Sequence, residues 1–370
     1  MATSIPFIMI GGFLGAGKTT LISRIAKQYS GQGKKIGLVT NDQAYGLVDT
    51  EHLKSEGFEV GEVPGACFCC KFNDLVETVT QLSSDNEPDL IVAEPVGSCT
   101  DLMATVIEPM RSIYGDRFRL GPLTVLLKPE HGYKILSGEG KIGFSPKAAY
   151  IFEKQIEEAN IVAINKIDKL SPSVQSELVQ MVNHRFPGKK IHLVSGRTGE
   201  NVSELLHSIE SDEFVFRTEM DVDYDIYAAG EAELAWFNCQ VSAQAPSGTD
   251  FDLDHLVLKI VEETSNSLAG HEIEAVHLKV MGQFGDQTAI ANHVGGEQGP
   301  ELSLASEIRS MAAELIVNAR VAATPPVLEE RIRKAVAELE VELGITLRLD
   351  GIQSFKPARP EPIHRITGQK

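Results

Sequence analysis

The sequence predicts an α/β protein, with a mostly parallel sheet covered by helices over residues 1–215 and an α+β domain over residues 232–356. Three observations predict this. Short apolar runs alternate with helical stretches through the first 215 residues, which is the order of a doubly wound sheet. A glycine-rich phosphate-binding pattern follows the first of those runs. Beyond residue 232 a strand–helix–strand order occurs twice in tandem.

Residues 6–11 form a short apolar run ending in glycines, as a buried parallel strand does, and residues 18–28 follow as an amphipathic helix. Residues 35–40, 89–94, 123–127, 160–165 and 190–195 read as further strands, and residues 73–84, 145–158 and 172–186 as helices. Ligands of such sheets bind at the carboxyl ends of the strands, where the pattern places the glycine loop, Asp42, Glu94, Asn165 and Ser195. Residues 212–233 hold eight acidic residues and one basic residue, so residues 216–231 are expected as an acidic linker. Next, residues 232–243 resemble residues 313–323. Each pair member leads to a helix (253–268, 327–343) and then a strand (274–281, 346–355), with 288–293 as an added strand. That order predicts a C-terminal ferredoxin-like sandwich. Residues 357–370, with three prolines, are expected as an extended tail.

A chain of 370 residues with 42% hydrophobic and 23% charged residues has the makeup of a soluble two-domain protein. Its net charge of −18 repels phosphate backbones and argues against nucleic acid as a partner. No apolar run is long enough for a membrane span, and the first ten residues lack a basic leader. Five cysteines, an odd number and clustered, suit a reducing, cytoplasmic location better than a disulfide framework.

The run Gly12-Phe13-Leu14-Gly15-Ala16-Gly17-Lys18-Thr19 fits the phosphate-binding loop. Gly12, Gly15, Ala16 and Gly17 would turn backbone N–H groups toward phosphate oxygens at a helix N-terminus. Lys18 would reach the β- and γ-phosphates, Thr19 would bind Mg²⁺, and Thr20 would complete the nucleotide-binding run. Asn165-Lys166-Ile167-Asp168 ends a strand, and a carboxylate there accepts two hydrogen bonds from guanine that adenine cannot donate. Ser195 opens the next loop, a second place for base contacts or a plain strand-to-helix turn. Together these motifs predict a P-loop GTPase domain with a mostly parallel sheet. Asp42 and Glu94 end strands, where each can hold Mg²⁺ and orient attacking water; Asp42 can instead cap a turn. With Lys18 they are the catalytic candidates, and Gly97 offers an N–H to the γ-phosphate.

Cys67, Cys69 and Cys70 precede the helix expected at residues 73–84. Three soft ligands suit Zn²⁺ and also Co²⁺, Ni²⁺ or Cu⁺, and leave one exchangeable position. Buried apolar cysteines or a redox pair are the alternatives. Cys99 and Cys239 are isolated in sequence and read as small buried residues.

The order GGFLGAGKTTL, GACFCC, AEPVGSCTDL, NKID resembles the CobW-like metallochaperone GTPases, relatives of the urease and hydrogenase nickel-insertion GTPases. The resemblance implies GTP hydrolysis to GDP coupled to binding a divalent metal, Zn²⁺ or Co²⁺, at Cys67, Cys69 and Cys70. It also implies delivery to a client metalloprotein or cofactor enzyme, and leaves a homodimer open. Glu94 and Gly97 match the family's E-x-x-G pattern, and Asp42 the acidic residue of the first switch. The chain departs from the family where the strand at 123–127 runs into Lys128-Pro129-Glu130, and in lacking a histidine-rich segment. Two other readings stay open: a maturation factor for a corrinoid or nickel enzyme without net metal transfer, and an ATP-using P-loop enzyme with incidental cysteines.

Overall fold

The computed structural model describes residues 4–137, 145–211, 214–216, 220–271, 273, 275–295 and 299–367. The chain forms two compact units. One comprises Met1–Gln43, Gly57–Gly230 and Arg359–Lys370; the other comprises Ala44–Glu56 and Glu231–Ala358.

The first unit is built on seven strands: β1 (Ile5–Gly12), β2 (Ile36–Asp42), β3 (Glu59–Pro64), β4 (Leu90–Glu94), β5 (Phe118–Leu127), β6 (Ile161–Ile164) and β7 (Lys190–Leu193). They lie in the order β3-β2-β4-β1-β5-β6-β7, and every pairing is parallel. Helices cover both faces, so central strands are buried on both sides. β4 (LIVAE) and β6 (IVAI) are buried at every position, which is why they read as unbroken apolar runs. Sequence patterning alone did not signal β3, the helix Val202–Ser211, or the helical segments Met103–Ile107 and Glu108–Tyr114. Residues 216–231, expected as a linker, carry the helix Tyr224–Glu231, anchored by the fully buried Tyr227. Residues 138–144 and 217–219 lie outside the described residues.

The second unit holds a six-stranded antiparallel sheet of β8 (Ala235–Gln244), β10 (Ala275–Phe284), β11 (Gln287–His293), β12 (Glu301–Leu304), β14 (Ala312–Val321) and β15 (Thr346–Phe355). A short β9–β13 pair, Phe251–Asp252 with Arg309–Ser310, accompanies it. The sheet order β12-β11-β10-β14-β8-β15 contains the expected sandwich. β8–helix–β10 and β14–helix–β15 are the two tandem halves, and the β11–β12 hairpin extends one edge. The helices Leu253–Ala269 and Pro325–Leu343 bury the inward residues Leu278, Val280, Leu315 and Val317 in one apolar core. The Asp252 side chain caps the first of these helices, accepting from the His255 N–H at 2.9 Å.

The other face of this sheet receives residues 44–56, the stretch that directly follows the β2 carboxyl end. Val48 packs with Met281 and Ile290, and its N–H donates to Asn318 Oδ1 at 2.9 Å. Asp49 pairs with Lys279 at 2.5 Å, and the Tyr45 N–H donates to Gln353 Oε1 at 3.1 Å. The segment after Asp42 thus folds as part of the C-terminal sheet.

Candidate nucleotide and metal site

The phosphate loop joins β1 to the helix Lys18–Gly31. Gly17 has φ 91°, and a Cβ there would stand 2.6 Å from Asn165 Nδ2, so only glycine fits. Asn165 explains that crowding. Its Nδ2 donates to Ala16 O at 2.8 Å, and its Oδ1 accepts from the Gly196 N–H at 3.0 Å. One buried side chain therefore ties the phosphate loop to the Ser195 loop. Lys166 adopts a left-handed φ of 62°, which carries Asp168 outward past the end of β6. The Ser195 hydroxyl donates to Asp168 Oδ1 at 2.6 Å and accepts from the Thr198 N–H at 3.1 Å. The structure thus brings the two expected base-reading loops together.

Lys18 Nζ donates to Gly12 O at 3.0 Å and lies 3.9 Å from Glu94. The Thr19 hydroxyl stands 3.1 Å from each Glu94 carboxylate oxygen. The all-oxygen donor set of Thr19 and Glu94 suits a hard cation such as Mg²⁺. Gly97 lies against the same spot: a Cβ on it would stand 2.8 Å from Leu14 Cδ2 and 3.1 Å from Lys18 Nζ. Any larger residue would push the turn off the phosphate loop. Asp42 lies at the same carboxyl edge, two residues beyond Thr40, which pairs with Glu94 in the β2–β4 ladder. Thr20 is exposed on the first turn of the helix.

The cysteine loop follows β3. Cys67 Sγ stands 2.9 Å from Cys69 Sγ and 3.3 Å from Cys70 Sγ; Cys69 and Cys70 are 3.8 Å apart. The three sulfurs all lie within 4.8 Å of one another. The turn is closed by the Cys70 and Lys71 N–H groups, each donating to Cys67 O at 3.0 Å. Phe68 is fully buried and anchors the loop, a burial worth about 1.5–3 kcal/mol. Asn41, beside Asp42 on β2, holds the loop's backbone. It donates to Val63 O and Ala66 O, both at 2.7 Å, and accepts from the Phe68 N–H at 2.9 Å. Nothing in the sequence pattern marks Asn41 for this role.

Two more contacts were not legible in the motif. The C-terminal segment crosses the loop, with the Glu361 N–H donating to Cys70 Sγ at 3.2 Å and the Ile363 N–H to Cys69 O at 2.9 Å. Arg365 pins that segment to the buried Asp101 at 2.7 Å, and Tyr224 donates to the same carboxylate at 2.8 Å. Cys99 is buried, as expected of a small packed residue, and it neighbours Cys67. Cys239 lies apart, on β8.

The thiols share charge unevenly. Hydrogen bonds from Cys69, then Cys70 and Cys99, hold Cys67 well below the usual thiol range. Cys69 is pushed up chiefly by its bond to Cys67, and Cys70 is pushed up to about 11 by its own bond to Cys67. Behind the E-x-x-G turn, Gln155 Nε2 donates to Gly97 O at 3.0 Å and Cys99 O at 2.9 Å. Glu158, buried beneath it, accepts from Thr100 Oγ1 at 3.1 Å and the Met103 N–H at 3.0 Å. Burial raises the Glu158 pKa to about 8.

The family model "CobW/HypB/UreG, nucleotide-binding domain" matches residues 6–192, just over half of the chain. The zinc chaperone CobW of Sinorhizobium sp is 26% identical over 221 residues, which cover 55% of this chain and 62% of that protein. The urease accessory protein UreG of Metallosphaera sedula is 27% identical over 217 residues, covering 54% of this chain and 91% of that protein. Among solved structures, the Zn(II)-bound YjiA GTPase from E. coli aligns with 91% of this chain and 99% of its own at 16% identity and TM-score 0.40. Among the described residues, no helix is long and apolar enough to cross a membrane. A family model over residues 6–192, with the phosphate loop, E-x-x-G turn and NKID loop assembled around one sheet edge, places this chain in the CobW/HypB/UreG family.

Proposed function

We propose that this protein is a GTP-hydrolysing metallochaperone that carries one divalent metal, Zn²⁺ or Co²⁺, on Cys67, Cys69 and Cys70 and hands it to a client metalloprotein or cofactor enzyme. One observation carries the reading: three thiols converge within 4.8 Å on a loop that Asn41 ties to β2, the strand ending in Asp42. The guanine base is read by Asp168, oriented by the Ser195 hydroxyl. Gly12, Gly15, Ala16, Gly17 and Thr20 shape the phosphate cradle, and Lys166 shapes the turn that presents Asp168. Lys18 gives up its Gly12 bond to neutralise the β- and γ-phosphates, and Gly97 offers its N–H to the γ-phosphate. Thr19 and Glu94 would hold Mg²⁺, which when bound would supply neutralisation of phosphate charge. Asp42 and Glu94 orient the attacking water. The reaction takes place in the cytoplasm.

Anaerobic loading with Co²⁺ tests this reading. The expected result is one metal per chain, with thiolate-to-metal charge-transfer bands that vanish in the Cys67→Ser/Cys69→Ser/Cys70→Ser protein. Wild-type metal affinity in that triple variant would place the site elsewhere.

A further inference from the structure

We propose that the C-terminal segment, residues 359–366, is part of the metal centre, and that the Glu361 N–H holds Cys70 Sγ in place for the metal. This inference rests on the metal-binding reading of Cys67, Cys69 and Cys70. The segment lies far outside residues 6–192, which the family model matches. Glu361 sits between Pro360 and Pro362. Proline carries no N–H, so Glu361 supplies the only backbone donor of residues 360–362. That donor meets Cys70 Sγ at 3.2 Å. The next donor along the chain, the Ile363 N–H, meets Cys69 O at 2.9 Å. Two successive donors of the segment thus both end on the cysteine motif.

The segment is fastened on either side of this crossing. Arg359 pairs with Asp225. Arg365 Nε donates to the buried Asp101 carboxylate at 2.7 Å, and its Nη2 donates to Met220 O at 3.1 Å. The Ile366 N–H donates to Ala104 O at 2.8 Å. The His364 ring packs edge-on against Phe72, with ring centres 4.9 Å apart. Phe72 is fully buried and follows the motif directly, so this contact fixes the segment to the base of the cysteine loop. The prolines around Glu361 restrict its backbone to extended conformations, so the N–H is aimed before any metal arrives. Cys70 is the thiol that needs holding: Cys67 and Cys69 are buried, whereas Cys70 is half-buried. Three thiolates around a divalent metal leave a net negative charge. An N–H aimed at one sulfur offsets that charge and leaves the sulfur able to ligate. Arg365 acts through the segment as a positioning residue.

The test measures Zn²⁺ affinity of the full chain by chelator competition, and the Co²⁺ charge-transfer spectrum, under anaerobic conditions. Glu361→Pro removes the N–H and keeps an extended backbone; Glu361→Ala keeps the N–H and removes the exposed side chain. Glu361→Pro is expected to weaken Zn²⁺ binding by about 10–100-fold, the usual loss when a hydrogen-bond partner of a metal ligand is removed, and to shift the charge-transfer bands. Glu361→Ala is expected to match wild type in both. Arg365→Ala is expected to weaken Zn²⁺ binding in the same direction, and Arg365→Lys to recover part of the loss. GTP affinity, measured alongside, reports that each variant is folded. Wild-type affinity and spectrum in Glu361→Pro would overturn the proposal, as would equal losses in Glu361→Pro and Glu361→Ala. If Glu361→Pro does not fold, Arg365→Ala decides, and wild-type Zn²⁺ affinity there would overturn the proposal. Metal binding that survives in the triple-cysteine variant would instead overturn the reading on which the proposal rests.

Discussion

The two halves of the parallel sheet hold their loops in different ways. On the β1–β5–β6–β7 side, the phosphate and base loops are bound to each other by their own motif residues. Asn165 links Ala16 to Gly196, and Asp168 meets Ser195. On the β2–β3–β4 side, the loops are held by distant segments. Residues 44–56 fold with the C-terminal sheet through Val48, Asp49 and Tyr45. The cysteine loop is held by Asn41 from β2 and by Glu361 and Ile363 from the chain's end. The phosphate and NKID loops are braced by residues of their own motifs, while the cysteine loop and residues 44–56 are braced by residues distant in sequence.

The strongest way to break the comparison is Lys18→Ala. Removing the phosphate-facing cation should lower GTP turnover by about 10²–10³-fold or more, as loss of one preorganised charge-stabilising group does. Metal loading by the cysteines should survive, and circular dichroism should show a folded protein. A turnover near wild type would remove Lys18 from the chemistry.

A second variant separates the halves from the metal side. Asn41→Ala deletes two hydrogen bonds to the cysteine loop and one to the end of β3 that leads into it. At about 1 kcal/mol net per bond, the loop should lose about 2–3 kcal/mol of order, and metal affinity should fall by about 30–150-fold. Guanine selectivity should not change, because Asn41 touches neither base loop. Equal losses in both measurements would mean the two halves are not separable.

The complementary variant is Asp168→Asn. It replaces one acceptor of the guanine N–H pair with a donor, costing about 1–3 kcal/mol of discrimination. GTP and ATP competition assays should show the loss, with the Co²⁺ charge-transfer spectrum unchanged. Wild-type protein that binds ATP as tightly as GTP would refute the guanine assignment.

These contrasts follow what the sequence made legible. The buried parallel strands were readable because both faces are covered, so β4 and β6 appear as unbroken apolar runs. The phosphate and NKID loops were readable because their chemistry depends on neighbours within a few residues. The C-terminal sandwich was readable from its repeat, since β8 and β14 pair side by side along their whole length, from Ala235 with Val321 to Gln244 with Ala312. The Cys67–Cys99 contact, the crossing of Glu361 over Cys70, and the docking of residues 44–56 were not readable. Each joins residues far apart in sequence, and none leaves a periodic or spaced pattern. Asn41 was hidden for the same reason, because an asparagine after a strand looks like any turn residue until its three partners are in place.

The smallest expected effect concerns the platform beneath the E-x-x-G turn. Glu158 is buried with its pKa raised to about 8, against about 4.5 when exposed. Between those values the unfolded chain ionises this group while the folded chain keeps it protonated. Its contribution to stability therefore falls as pH rises from about 4.5 to about 8 and levels off above. The slope from this one group is at most about 1.4 kcal/mol per pH unit. Glu158→Gln should flatten that slope in urea unfolding measured across the range. An unchanged slope would show that Glu158 is ionised in the fold.

The central claim is that nucleotide state governs metal binding. It is tested most directly by measuring Zn²⁺ affinity anaerobically with a GTP analogue, with GDP and with no nucleotide. Coupling of about 1–3 kcal/mol predicts Kd values that differ by about 5–150-fold between the GTP-analogue and GDP forms, with GTP affinity changing by the same factor when metal is added. Identical metal affinities in all three states would contradict a nucleotide-driven metal carrier.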